Sequence, residues 1–185
     1  GDEAIAKLNV FGTLYMRKTS TVNLSAAEDF IGAELYAQRL DMDGGTIAIT
    51  HGTLTVSDDK DFYPAGAALA KLTNATITAK DPATISFKGG LSLSGASSID
   101  YDMTKAQALT DTGTFQVLGD LSLKEKSNVS LQYNASREAL ISEVQVVNGD
   151  TLIDDSTFML SNAGFAGTYT QGNAETVAAT GVGFL

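Results

Sequence analysis

Phe115-Gln116-Val117-Leu118-Gly119-Asp120-Leu121-Ser122-Leu123-Lys124-Glu125-Lys126-Ser127-Asn128-Val129-Ser130-Leu131 is the stretch on which the reading of this chain turns. Apolar residues fall at 115, 117, 121, 123, 129 and 131, with glycine at 119 and serine at 127. An alternation of period two is the pattern of a strand with one buried face, because successive side chains point to opposite sides of the backbone. Three short runs of it, broken once at a glycine and once at a serine, predict three short strands separated by tight corners.

The same frame recurs without a gap at Ile85, Phe87, Gly89, Leu91, Leu93, Ser97, Ile99, Tyr101, and at Leu8, Val10, Gly12, Leu14, Met16, Ser20, Val22, Leu24. Two looser copies are read at Ile47, Ile49, Gly52, Leu54, Val56 and at Val144, Val146, Gly149, Leu152, Phe158, Leu160. The five starts lie 39, 38, 30 and 29 residues apart by their numbering, within the span of stacked repeat architectures. The fold class expected is all-β: a short β-solenoid, or β-helix, of the right-handed type and about five coils, with small helical or loop insertions. A β-sandwich, whose hairpins also alternate and turn at glycine, is the alternative. The insertions are placed at Ala26 to Met42 (a short helix or a further strand), at the alanine-rich Pro64 to Leu72, and at Ser136 to Ile141. Residues 1–185 form one β-rich domain, with 162–185 as a C-terminal cap or an inter-subunit strand.

The motif Gly-x-Leu-x-Leu followed by Ser-x-Val-x-Leu, running from Gly119 to Leu131 and, with Met16 in the second leucine slot, from Gly12 to Leu24, resembles the coils of bacterial autotransporter passenger domains and related surface β-helices. That resemblance covers about two thirds of the chain. It implies a secreted or surface-displayed rod, an adhesin or a structural stalk, and it brings no catalytic motif with it.

Composition narrows the function classes. A net charge of −10 and an isoelectric point near 4.4 oppose nucleic acid and anionic lipid, and no basic cluster exceeds groups such as Arg17-Lys18. With 43% hydrophobic residues the chain has enough apolar surface to build a core. The absence of cysteine removes disulfides, thiolate nucleophiles and cysteine-ligated zinc. No apolar run reaches the length of a membrane helix, and a transmembrane β-barrel would want longer strands and aromatic girdles. An extracellular or cell-surface location, without membrane insertion, is expected.

Chemistry-bearing residues are sparse. A single histidine, His51, excludes any scheme that needs two, and beside Gly52 it reads as a turn residue. Calcium is the one cofactor the sequence offers, through Asp41 and Asp43 and through Asp58, Asp59 and Asp61, because an acidic loop supplies several of the six to eight oxygens calcium takes. Neither run continues into a full calcium-loop pattern. Asp100, Asp102 and Lys105 are the carboxylates and base a polysaccharide-cleaving β-helix would use. Aromatic contacts for a glycan or a host protein are Phe62, Tyr63 and Tyr169. Of the Asn-x-Ser/Thr sequons at Asn23, Asn74, Asn128 and Asn134, the last is the candidate glycosylation site. The functional expectation is a non-catalytic subunit that self-associates into a fibre, surface layer or stalk, with an adhesin and then an enzyme as alternatives.

Overall fold

The computed structural model describes residues 5–26, 32–58, 68–80, 83–102, 113–133, 145–162, 169–172 and 177–180. Among them there are strands and no helix, and every strand pairing is parallel. The chain winds as a β-solenoid whose three faces are parallel ladders. Two long strands, β1 (Ala6–Ser25) and β2 (Ala33–Thr50), each run a whole circuit without a break. Four turns of three separate strands follow: β3 (Gly52–Val56), β4 (Ala68–Thr73) and β5 (Thr76–Lys80); β6 (Thr84–Phe87), β7 (Gly90–Ser94) and β8 (Ser98–Asp102); β9 (Thr114–Val117), β10 (Leu121–Lys124) and β11 (Asn128–Tyr133); β12 (Gln145–Asn148), β13 (Thr151–Asp154) and β14 (Thr157–Asn162). Then β15 (Tyr169–Gly172) extends the first ladder beyond β12, and β16 (Val177–Thr180) extends the second beyond β13.

Register turns the apolar slots into columns. Leu8, Leu35, Leu54, Ile85 and Phe115 stack rung by rung on the first face, and Val22, Ile47, Ile77, Ile99, Val129 and Phe158 on the third. From Leu35 and Ile47 onward these side chains are buried, so one continuous apolar core runs up the axis. Phe87 and Phe115 meet edge-on inside it, ring centroids 6.5 Å apart. Tyr101 is a core residue with a polar end: its hydroxyl donates to Ala83 O at 2.6 Å and accepts from Ala83 N at 3.0 Å, pinning the end of β8 to the chain entering β6.

The glycine and serine columns have separate physical causes. A Cβ on Gly119 would lie 2.6 Å from both Gly89 C and Gly90 N, so the corner backbones of successive turns stack too closely for any side chain. Serines fill the other corner from inside: Ser97, Ser127 and Ser156 are buried, Ser127 and Ser156 hydroxyls lie 3.2 Å apart, and Ser97 Oγ donates to Ser94 O at 2.7 Å. At that same corner, two residues beyond the last inward side chain of the second ladder, the backbone is left-handed in every turn: Lys18, Gly44, Asn74, Gly95, Glu125 and Asp155 have φ of 57, 83, 49, 62, 58 and 46°. A single stray left-handed residue would be strain; a column of them is a repeated turn.

Several expectations need correction. Ile47 and Ile49 lie on the third ladder rather than the first, because β2 completes its circuit without an insertion and His51, at φ 52°, turns the chain directly into β3. Gly52 therefore starts a strand and is not the counterpart of Gly119. The copy around Val146 is one residue out: Val147 pairs with Val117, while Thr151 and Ile153 continue the Leu121 and Leu123 columns. Thr151 in an apolar slot misled the alternation, and Leu152 faces partly outward. Within the expected insertions, 33–42 and 68–72 are strand; alanine yields to strand geometry at Ala70 because its column is the buried one. Ser136 to Ile141 lies outside the described residues.

Thr151 Oγ1 is buried without a hydrogen-bond partner among the described residues. Thr151→Val keeps the shape and removes the unpaired hydroxyl, so it is expected to stabilise the fold by about 1 kcal/mol, read as a raised denaturant midpoint at unchanged slope.

Candidate functional site

From the second rung onward the apolar interior slots are buried, and the place where the pattern opens is the first rung. Among the described residues β1 pairs with β2 and with nothing on its other side. Leu8, which shares a column with the buried Leu35 and Leu54, is 49% exposed, and Val10, Leu14 and Val22 are only partly covered. Ile5, Phe11 and Tyr15 add exposed apolar surface to the same rung, Phe11 at 81%.

Backbone polarity is uncovered there as well. Elsewhere outward-facing residues send their N–H back to the preceding rung: Ser98 N to Ala75 O at 2.9 Å, Thr114 N to Ala83 O at 2.9 Å, Asn128 N to Ser97 O at 2.9 Å. Inward-facing residues donate forward, as Leu121 N does to Asp150 O at 2.9 Å and Ala6 N to Gly32 O at 2.7 Å. By the same alternation the outward residues of β1, among them Lys7, Asn9, Thr21 and Asn23, point their N–H groups away from β2, to the side where no strand pairs among the described residues.

Beside this edge an open groove of about 180 Å³ is lined by Thr13, Tyr15, Arg39, Leu40, Asp41, Leu69 and Lys71. The Arg17 guanidinium lies 5.3 Å from the Tyr15 ring centre, pairs with Asp41 Oδ1 at 3.2 Å and donates to Asp41 O at 2.9 Å. Phe11 and Tyr36 meet at 6.3 Å, and Tyr36 donates its hydroxyl proton to Ser57 O at 2.7 Å.

The residues singled out from sequence are not gathered at one place. Asp41 and Asp43 face outward from the second ladder, and Asp41 is held by Arg17. Asp58 follows β3 on the first ladder; Asp59, Asp61, Phe62, Tyr63, Lys105 and Asn134 lie outside the described residues, as does the side chain of Tyr169, whose backbone is in β15. Among the described residues no three of His, Asp and Glu group as a metal site. Asp100 accepts from Ser98 Oγ at 3.0 Å and from Asn128 Nδ2 at 3.3 Å, which ties its carboxylate into the outer ladder. Asn74 Oδ1 accepts from Ala96 N at 3.1 Å and serves the corner. Sequence reasoning missed Phe11, Tyr15 and Tyr36, whose exposure depends on the stacking of the rungs and not on the alternation of β1.

The fold is a parallel β-solenoid in which, among the described residues, no strand covers the outer edge of β1. No protein-family model, curated protein or solved structure matches the chain.

Proposed function

We propose that this chain is a non-catalytic structural subunit of an extracellular or cell-surface assembly, and that it associates with further copies through its end rungs to build a fibre, layer or stalk. The observation that carries this reading is the combination at β1 of an unpaired strand edge of 20 residues with half-covered core side chains. Soluble proteins blunt such edges with short strands, prolines or bulges; β1 is long and has no proline, and its register shifts between Val10 and Thr13 and between Lys18 and Thr21 fall at the corners and leave the straight runs between them open. Covering it by another rung would pair the free N–H groups and bury Leu8, Val10 and Leu14 in one step.

Sedimentation velocity over a concentration series, with electron microscopy of the same samples, tests it. Species that grow with concentration into rods or sheets are expected; a monomer at every concentration would overturn the reading.

A second reading, an adhesin for glycan or host protein, draws on the groove at Tyr15, where an exposed ring stands among Arg39, Asp41 and Lys71. Binding on a glycan array that Tyr15→Ala abolishes, with sedimentation unchanged, would favour it.

A further inference from the structure

Resting on the assembly reading, we infer that the occupant of the first rung is the last rung of a second copy, so that copies join head to tail with one polarity. Three observations converge on this.

The first is geometric. Each rung of the solenoid meets the next in parallel, with outward residues donating backward and inward residues donating forward. A copy placed ahead of β1 in the same direction repeats a pairing the molecule already makes between all its own rungs. Head-to-head joining would need antiparallel pairing, which occurs nowhere among the described strands. A head-to-tail contact is heterologous and does not close on itself, and repetition along the solenoid axis extends it into a filament.

Charge supplies the second. In a chain of net charge −10, the charged residues between 5 and 25 are Lys7, Arg17 and Lys18, all basic. Across the described residues 145–162 of the last full turn the charged residues are Asp150, Asp154 and Asp155, all acidic. Lys7 pairs with Glu34 at 2.9 Å and Arg17 with Asp41 at 3.2 Å, so Lys18 is the basic group of β1 set against the acidic last turn, and that difference in sign favours unlike ends meeting over head-to-head or tail-to-tail contacts.

The third is the left-handed corner column. It begins at Lys18 and its last described member is Asp155, both exposed. Continuing the stack into a second copy, beyond β16, places Lys18 of one protomer two rungs past Asp155 of its partner, about 10 Å at about 4.8 Å per rung. Within the chain this corner already brings neighbouring rungs together, Lys126 N donating to Asp155 O at 2.6 Å. Opposite charges meet in register on the second ladder, Lys124 with Asp154 and Asp41 with Lys71, whereas the corner column itself sets Glu125 beside Asp155, a like pair that a lysine on the next copy would offset.

The column itself provides the test, since it accepts either charge: glutamate stands in it at Glu125 with φ 58°, and lysine at Lys18 with φ 57°. Lys18→Glu and Asp155→Lys therefore exchange residues the corner already tolerates, and circular dichroism melts check that each variant folds. Sedimentation at low salt is expected to show each single variant requiring about fivefold more protein to associate, and the double variant Lys18→Glu with Asp155→Lys returning to within about twofold of wild type. Association of Asp155→Lys at wild-type concentrations, or a double variant as weak as the singles, would overturn head-to-tail polarity while leaving assembly standing. A wild-type chain that stays monomeric at every salt concentration would instead remove the assembly reading and this one with it.

Discussion

Phe115→Ala is expected to cost about 3 to 5 kcal/mol in chemical denaturation, whereas Leu8→Ala, in the same column, costs about 1 kcal/mol in the monomer. Phe115 is fully buried, lies between Ile85 and the next turn, and meets Phe87 edge-on at 6.5 Å. Truncating it opens a cavity between rungs whose backbones are fixed by parallel pairing on both sides, so the space cannot collapse. Leu8 has a covered side facing Leu35 and an uncovered one facing away from the stack, and it already gives half its area to solvent. The contrast isolates position in the stack from residue type, because each rung's stability comes from its neighbours above and below. Urea titrations of the two variants, well below any concentration at which copies associate, would show it as a large shift of midpoint for one and a small shift for the other. Equal losses would mean that β1 is covered in the monomer.

How far the sequence reveals this architecture depends on how regular each rung is. The copies at Leu8, Ile85 and Phe115 are legible because their inward slots are occupied by large apolar residues, which the structure places in the expected columns; the glycine and serine corners hold for the Ile85 and Phe115 copies, whereas Gly12 has nothing within 4 Å of where its Cβ would lie and Ser20 is exposed. The turns built from β2 and from β3 to β5 escape the frame, since their second-face slots include Leu40, Met42, Ala70 and Leu72, with no glycine at the first corner and an intervening stretch of chain before β4. Small inward residues such as Ala37, Ala70 and Ala79 are fully buried yet look like surface residues in a hydropathy pattern, and Thr151 breaks the alternation outright. The edge is harder still. Nothing in the composition of Leu8, Val10 and Leu14 separates an end rung from an interior one; what distinguishes them is the absence of a described partner, which is a property of the stack and not of the strand. The difference in charge between β1 and the turn of β12 to β14 is, by contrast, present in the sequence, but it acquires meaning only once those strands are placed far apart along the described stack.

That edge gives the sharpest expected difference between folding and assembly. Asn23 shares an outward column with Ala48, Thr78, Asp100 and Ser130, so the same substitution can be made at the free edge and inside the stack. Ser130→Pro removes an N–H that the ladder directs to β8 and forces a ring against that strand, and it is expected to cost about 3 kcal/mol or more. Asn23→Pro removes an N–H that has no preceding rung to reach, and its loss from the monomer is expected to be below about 1 kcal/mol, mostly from the fixed φ. Association is the reverse case. There the Asn23 N–H is one of the donors an incoming rung must accept, and a proline ring on that edge holds the incoming backbone off along the third face. Asn23→Pro should therefore melt near the wild-type temperature yet remain monomeric where the wild-type chain has assembled. Should the Asn23→Pro variant assemble as readily as wild type, copies would be meeting through a surface other than β1; should it unfold like Ser130→Pro, the first rung would already be paired within the chain.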